Sequence, residues 1–182
     1  MALEIERRFL VHSDGWRSHV SWSAQLRQGY LVAEPEGFSF RVRQSEQQSW
    51  LTLKAPCSAD GRVRQEFEYE IPHSDAADLL GLCKWQVVKT RHGLSLPGGD
   101  WVLDEFEGAN APLLVAEVEL RSADQQLDAP LWCGREITGR PELSNAALAL
   151  RPLASWAESE RTILFSPQGR ISSWGGDPEN SS

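Results

Sequence analysis

Charged side chains of the same sign recur two residues apart in five short runs of this chain. They are Glu4 and Glu6, Arg41 and Arg43, Glu66 with Glu68 and Glu70, Lys89 and Arg91, and Glu117 and Glu119. Because a β-strand repeats every two residues, each set would project from one face of a strand, with apolar residues on the other. Like charges that lie side by side destabilise a sheet unless something neutralises them. The pattern therefore indicates a site that binds a metal ion together with a polyanion.

The carboxylates in this pattern favour a hard divalent cation. The four histidines form no HxH or HExxH group, and the three cysteines share no metal-ligand spacing. A site built from carboxylate oxygens alone suits Mg²⁺ or Mn²⁺. The candidate metal ligands are Glu4, Glu6, Glu66, Glu68, Asp104, Glu117 and Glu119.

The cations in the same runs suit phosphate oxygens, which arginine can bind in a bidentate manner. They are Arg8, Arg41, Arg43, Lys54, Lys89 and Arg91. So many bases exceed what one phosphate needs, and they match a ligand with several phosphates in a row. Metal ions on phosphate oxygens, with cations around the leaving group, are the usual arrangement for phosphoryl transfer. The sequence contains neither a Walker A loop nor a GxGxxG loop, so side chains would have to hold the phosphates.

Eight segments show the alternation of β-strands, and turn residues separate them. They lie near 2–10, 26–32, 38–45, 49–55, 64–71, 84–91, 100–107 and 113–121. Helices are predicted after the N-caps Ser74 and Ser144, and a short one near 14–20. Strands joined mainly as hairpins predict an antiparallel barrel. Either its charged face meets solvent, or the barrel is inside out, with charges lining a lumen and helices covering the apolar exterior.

Length and composition describe one soluble domain of 182 residues. The net charge of −8 argues against a nucleic-acid partner. We find no apolar run of membrane-span length and no signal-peptide pattern at the N-terminus. Three cysteines are an odd number and predict reduced thiols in a cytoplasmic protein. An apolar exterior would also offer a surface for a homodimer.

The run Glu4-Ile5-Glu6-Arg7-Arg8-Phe9-Leu10-Val11 resembles the ExExK signature of the CYTH superfamily, the triphosphate tunnel metalloenzymes. Further blocks follow in the family's order, so the resemblance covers roughly residues 1–152. They lie at 28–31, 40–43, 51–54, 64–71, 89–91, 101–104, 116–120 and 134–138.

The resemblance implies an α+β fold, mainly an antiparallel eight-stranded β-barrel with a charged tunnel and a few covering helices. Residues 1–155 would form the CYTH domain and 156–182 a C-terminal extension. The Ser, Gly, Asn and Pro content from about residue 167 predicts a flexible tail.

The implied function is metal-dependent hydrolysis of a linear triphosphate, with most similarity to bacterial enzymes that convert inorganic tripolyphosphate to pyrophosphate and phosphate. Other members hydrolyse thiamine or nucleoside triphosphates, and class IV adenylyl cyclases cyclise ATP. A catalytically weak protein that binds polyphosphate or nucleotide is the non-enzymatic alternative. A structural barrel with a solvated charged face is the remaining one.

The family's site residues can be carried over by position. Glu4 and Glu6 become catalytic metal-site carboxylates, joined by Asp104, Glu117 and Glu119, while Arg41, Arg43, Lys54, Lys89 and Arg91 bind phosphates. Glu66 and Glu68 lie in a block where the family also has acids. The signature lysine is Arg8 here, and arginine stays charged, so this residue could bind phosphate but could not act as a base. We expect binding to survive this exchange, and the rate or substrate preference to differ from lysine-bearing members.

Overall fold

The main element of the protein is a nine-stranded antiparallel sheet, seen in a computed structural model that describes residues 5–33, 38–56, 64–122 and 124–166. In chain order the strands are β1 (Ile5–Val11), β2 (Val20–Ala33), β3 (Ser39–Gln44), β4 (Ser49–Pro56), β5 (Arg64–Glu70), β6 (Trp85–Leu94), β7 (Asp100–Phe106), β8 (Leu114–Leu120) and β9 (Cys133–Glu136). Across the sheet the order is β5-β4-β3-β2-β6-β7-β8-β1-β9. Side chains of β5 and of β1 line the same cavity, so the sheet curls around it.

The predicted α+β fold with a mainly antiparallel sheet is confirmed, with three differences in detail. Strand β2 begins at Val20 and not near 26, because its first residues pair with the end of β6. Strand β9 was not predicted, since its four residues show no apolar and polar alternation. Over the described residues, hydrogen bonds do not join the edge strands β5 and β9, so the sheet surrounds the cavity without closing as a barrel.

The outer face of the sheet is apolar, and helix α1 (His73–Leu82) covers part of it. Ala76 and Leu80 lie four residues apart on one side of this helix and form a buried cluster with Val42 of β3. The helix begins one residue before the predicted N-cap Ser74, and its N-cap is Pro72. The side chain of Ser74 instead donates a hydrogen bond to Asp75.

A second outer cluster lies over β1, β7 and β8. Trp16, from a 3₁₀ turn at Asp14–His19, packs there with Trp132 and Trp101. The rings of Trp101 and Trp132 meet edge to face at 6.2 Å. The inside-out arrangement is therefore the one that the chain adopts.

The inner face changes from charged to apolar along the strands. Two residues beyond the inward charges Arg8 and Glu117 lie Leu10 and Val115, in a buried core at one end of the cavity. Helix α2 (Asn145–Leu150) and helix α3 (Glu158–Phe165) pack onto this core. The predicted N-cap of α2 is confirmed, since Ser144 Oγ accepts a hydrogen bond from the Ala147 N–H at 3.2 Å.

Several remaining predictions concern the surface and the termini. Phe67 and Tyr69 are exposed on the outer face of β5, and a homodimer contact stays a prediction. Cys83 and Cys133 are free thiols, whereas Cys57 and the tail 167–182 lie outside the described residues. Among the helices that are described, none has the length and apolar character needed to cross a membrane.

The covering role of α1 predicts a large difference between two leucines of the same helix. Leu80→Ala should lower the free energy of unfolding by about 2–5 kcal/mol, because the side chain is fully buried against the sheet. Leu82→Ala, at a position 74% exposed, should change it by about 0.5 kcal/mol or less. Urea unfolding at neutral pH measures both values. Equal losses in the two variants would contradict the packing of α1 described above.

Candidate functional site

The inner face of the sheet surrounds a cavity of about 620 Å³, and helix α2 forms part of its wall. Eleven of the predicted site residues line it: Glu6, Arg8, Arg41, Arg43, Lys54, Glu66, Glu68, Lys89, Arg91, Glu117 and Glu119. Asp104 is buried beside the cavity, and Glu4 lies outside the described residues. The two-residue spacing in each strand is what points these side chains to one face.

Charge is arranged in bands across the sheet. The acidic strand β5 is followed by the cations of β4 and β3, and the cations of β6 are followed by the carboxylates of β7, β8 and β1. Between the two cationic bands, β2 presents the neutral side chains of Gln28 and Tyr30. Each cationic band therefore has an acidic neighbour, which reduces the repulsion within the band.

On one wall, β5 neutralises the cations of β3 and β4. Glu68 forms ion pairs with Arg41 Nη2 at 3.3 Å and with Arg43 Nη2 at 3.2 Å. Lys54 Nζ lies 2.9 Å from a carboxylate oxygen of Glu66. Thr52 Oγ1 donates to Glu68 at 2.8 Å. Burial, together with the positive charge of Arg41, lowers the pKa of the Arg43 guanidinium. Three cations therefore lie close together on this wall and share two carboxylates of β5.

On the opposite wall, Asp104 is the buried centre of an ion-pair network. It accepts hydrogen bonds from Lys89 Nζ at 2.6 Å and from Arg91 Nε and Nη2 at 2.7 and 2.8 Å. Burial alone would raise the pKa of Asp104, but the charge of Lys89 and the hydrogen bonds of Arg91 hold the pKa well below its usual range. Burial lowers the pKa of Lys89, and the attraction of Asp104 opposes that effect.

Glu117 links this network to the signature strand β1. Glu117 accepts hydrogen bonds from Arg91 Nη2 at 2.9 Å and from Arg8 Nε at 3.0 Å. Arg8 Nη2 also donates to the backbone carbonyl of Leu143, 3.1 Å away, in the segment that leads into α2. A guanidinium reaches these two partners from two different nitrogens in a fixed plane, whereas a lysine would have to reach both from a single nitrogen.

Three carboxylates face one another across β7, β8 and β1. In the strand register, Asp100 lies opposite Glu119, and Glu119 lies opposite Glu6. All three line the cavity, and in the part of the chain that is described neither Asp100 nor Glu119 forms a salt bridge. Carboxylate oxygens facing a cavity are suitable donors for a hard cation, so the residues present fit Mg²⁺ or Mn²⁺. This fit is one of donor chemistry: in the described part of the chain, no three His, Cys, Asp or Glu side chains are arranged closely enough to hold one ion together.

Sequence reasoning missed Asp100 and Asn145. Asp100 shares the parity of Asp104, and this signal could have placed it on the inner face. Asn145 could be predicted only as part of a helix start, yet its Oδ1 accepts a hydrogen bond from Lys89 Nζ at 2.9 Å. No local pattern connects Asn145 with Lys89, because the two residues are 56 positions apart in the sequence.

The network predicts that Asp104→Asn lowers the free energy of unfolding by about 3–5 kcal/mol, because two cations lose their buried partner. The depressed pKa of Asp104 adds a pH dependence. Ionised Asp104 contributes its full stabilisation of the folded state above the ordinary pKa of 3.8, and this contribution is lost as the pH falls through the lower pKa that Asp104 has in the folded protein. The difference from wild type should narrow below about pH 4. Urea unfolding as a function of pH measures it, with the half-exposed Glu105→Gln as a control expected to cost about 1 kcal/mol or less. A constant difference down to low pH would contradict the assignment.

Comparison with known proteins gives matches over most of the chain. Two curated proteins named inorganic triphosphatase are similar to it. The one from Acetivibrio thermocellus is 36% identical over 160 residues, which are 87% of this chain and 100% of that protein. The one from Nitrosomonas europaea is 39% identical over 153 residues, which are 81% of this chain and 97% of that protein. A crystal structure of an inorganic triphosphatase superposes with a TM-score of 0.63 at 36% identity and covers 82% of this chain and 96% of that one.

The profile of the CYTH domain family matches residues 2–150. This range contains every strand of the sheet and every charged residue that lines the cavity. Because this profile matches most of the chain, and because the two relatives are 36% and 39% identical in sequence over nearly their whole length, the chain belongs to the CYTH domain family.

Proposed function

We propose that the chain is a metal-dependent inorganic triphosphatase that hydrolyses tripolyphosphate to pyrophosphate and phosphate. The observation that carries the proposal is the cavity itself, in which two cationic bands face a row of carboxylates within about 620 Å³. The similar proteins named inorganic triphosphatase support the same substrate.

In this proposal the phosphates lie between the two cationic walls. Arg41, Arg43 and Lys54 bind them on one side, and Arg8 and Arg91 bind them on the other. Water attacks a terminal phosphorus, the bond to the bridging oxygen breaks, and pyrophosphate leaves. The guanidinium groups stabilise the negative charge that builds on the leaving oxygen.

The family is metal-dependent in general. We propose Mg²⁺ or Mn²⁺ on Glu6 and Glu119, together with Glu4 and Glu117. When bound, such an ion neutralises charge on the phosphate oxygens and lowers the pKa of a coordinated water. Asp104 is 1% exposed, does not line the cavity, and accepts hydrogen bonds from Lys89 and Arg91 on both oxygens, so we propose it as a positioning residue for these cations and not as a metal ligand. Glu117 lines the cavity, and it would contact the ion only after leaving its ion pairs with Arg8 and Arg91. Glu66 and Glu68 would contact the ion only after leaving their ion pairs.

The walls of the cavity favour an inorganic substrate over a nucleotide or thiamine triphosphate. Among the described residues that line it, Tyr30 is the one aromatic, and it is 4% exposed. Its hydroxyl also accepts a hydrogen bond from Gln28 at 2.6 Å. Stacking on an aromatic face is a common way to bind a base, and this part of the cavity offers no such face.

Glu119→Gln should lower kcat/KM for tripolyphosphate by about 10²-fold or more, because it removes a proposed ligand of the divalent cation. Glu70→Gln is the matched control, since Glu70 has the same parity on β5 as Glu66 and Glu68 but does not line the cavity. Its kcat/KM should stay within about threefold of wild type. Phosphate release from tripolyphosphate, ATP, thiamine triphosphate and pyrophosphate, with Mg²⁺ or Mn²⁺, measures both effects. No turnover of tripolyphosphate by the wild type would overturn the proposed function.

Arg8→Lys should add a basic limb to the pH dependence of kcat/KM. A lysine loses its charge near pH 10, whereas arginine keeps it, so the variant should lose activity above about pH 9 relative to wild type. Rate measurements between about pH 6 and 10 check this expectation. Parallel profiles for the two proteins would show that the charge at this position does not contribute to binding or turnover.

A further inference from the structure

Three cations on one wall of the cavity are already occupied by carboxylates of the chain. We name Arg41, Arg43 and Lys54 the cation cradle. Its ion pairs join Lys54 to Glu66 at 2.9 Å, Arg43 to Glu68 at 3.2 Å, and Arg41 to both carboxylates at 3.3 and 3.7 Å. The Nη2 atoms of Arg41 and Arg43 and the Nζ atom of Lys54 are therefore donors that already hold Glu66 and Glu68. A bound phosphate and these carboxylates compete for the same donors.

The carboxylates satisfy the cradle only in part. The Nε atoms of Arg41 and Arg43 are buried and have no hydrogen-bond partner among the described residues. A buried donor without an acceptor is unfavourable, because it has lost water without gaining a partner. Three cations also face two carboxylates, which leaves one positive charge in excess. A ligand with more negative charge would neutralise the three cations more completely than the two carboxylates of β5 do.

Strand β5 can release the cradle, but because β5 stays paired to β4 its carboxylates then remain beside the cavity. It is an edge strand that pairs only with β4 among the described strands. The side chains of Glu66 and Glu68 are 37% and 34% exposed, so they can turn away from the cations and remain hydrated. Asp104, which is 1% exposed, has no such freedom. The carboxylates of β5 can therefore exchange their cation partners for other partners, whereas Asp104 on the opposite wall cannot.

We infer that Glu66 and Glu68 are specificity determinants that make binding of the triphosphate conditional on its divalent cation. This inference rests on the proposed function. A bare polyanion has to displace both carboxylates and then lie beside them without compensation, which like-charge repulsion opposes. A triphosphate that carries a divalent ion brings a positive charge for the displaced carboxylates, while its oxygens take over the cradle. The cradle thus rejects the free polyanion and admits the metal complex.

The experiment measures binding of tripolyphosphate by calorimetry in EDTA; with Mg²⁺ it compares KM for tripolyphosphate where the protein hydrolyses it, and calorimetric binding where it does not. The variant Glu66→Gln/Glu68→Gln should bind tripolyphosphate in EDTA about tenfold or more tighter than wild type, since the competing charges are gone. With Mg²⁺ this gain should disappear or reverse. The single variants Glu66→Gln and Glu68→Gln should each show part of the gain, and they serve if the double variant does not fold.

A charge-matched control separates direct competition for the cradle from the general effect of removing two negative charges from the cavity. Asp100→Asn/Glu119→Gln removes the same charge from the opposite side of the cavity, where neither residue contacts the cradle. In EDTA it should improve tripolyphosphate binding by about threefold or less, because its charges lie farther from Arg41, Arg43 and Lys54. An equal gain in the two double variants, or no gain in Glu66→Gln/Glu68→Gln, would overturn the inference.

Sulfate in EDTA is a second probe, because it is a tetrahedral anion with no bond to hydrolyse. The Glu66→Gln/Glu68→Gln variant should bind it more tightly than wild type. If this gain is found but the wild type does not hydrolyse tripolyphosphate, the proposed function fails and the competition for the cradle stands. If the wild type is an active triphosphatase and neither anion gains affinity, only the inference fails.

Discussion

Crowded like charges on the inner face of the sheet are the constraint to which the rest of the structure responds. A strand that points Arg41 and Arg43, or Glu117 and Glu119, into one cavity is unfavourable by itself. The order of the strands resolves this by placing acidic strands beside cationic ones. Ion pairs between neighbouring strands then hold the cavity open and charged, where a hydrophobic core would otherwise form.

An inner face devoted to charge moves the hydrophobic cores elsewhere. The apolar residues of the strands face outward, so they need cover from α1 and from the 3₁₀ turn that carries Trp16. A third core forms where the inner face becomes apolar, and α2 and α3 cover it. The small helices are therefore as necessary as the strands, because the sheet alone would expose most of its apolar surface.

The two walls of the cavity differ in how firmly their charges are held. Around Asp104 the ion pairs are buried and multiply hydrogen-bonded, which fixes Lys89 and Arg91 in place. Around Glu68 the pairs are longer and partly exposed, on an edge strand. A rigid wall and an exchangeable wall are a useful combination for a site that must bind a highly charged substrate and then release charged products.

The sequence by itself determined the faces of the strands and the sign of the charge on each, because the two-residue period of a β-strand is a local property. Eight of the strands and eleven cavity residues could be predicted on that basis, and the helix capped by Ser144 from its local N-cap signal. Which carboxylate meets which cation was decided only in the tertiary structure, since it depends on long-range pairings such as β2 with β6 and β1 with β8. The same holds for Asp104 at the centre of a buried network, for Asn145 beside Lys89, and for β9. Each of these features depends on contacts between residues that are far apart in the chain, and a local sequence pattern carries no information about such contacts.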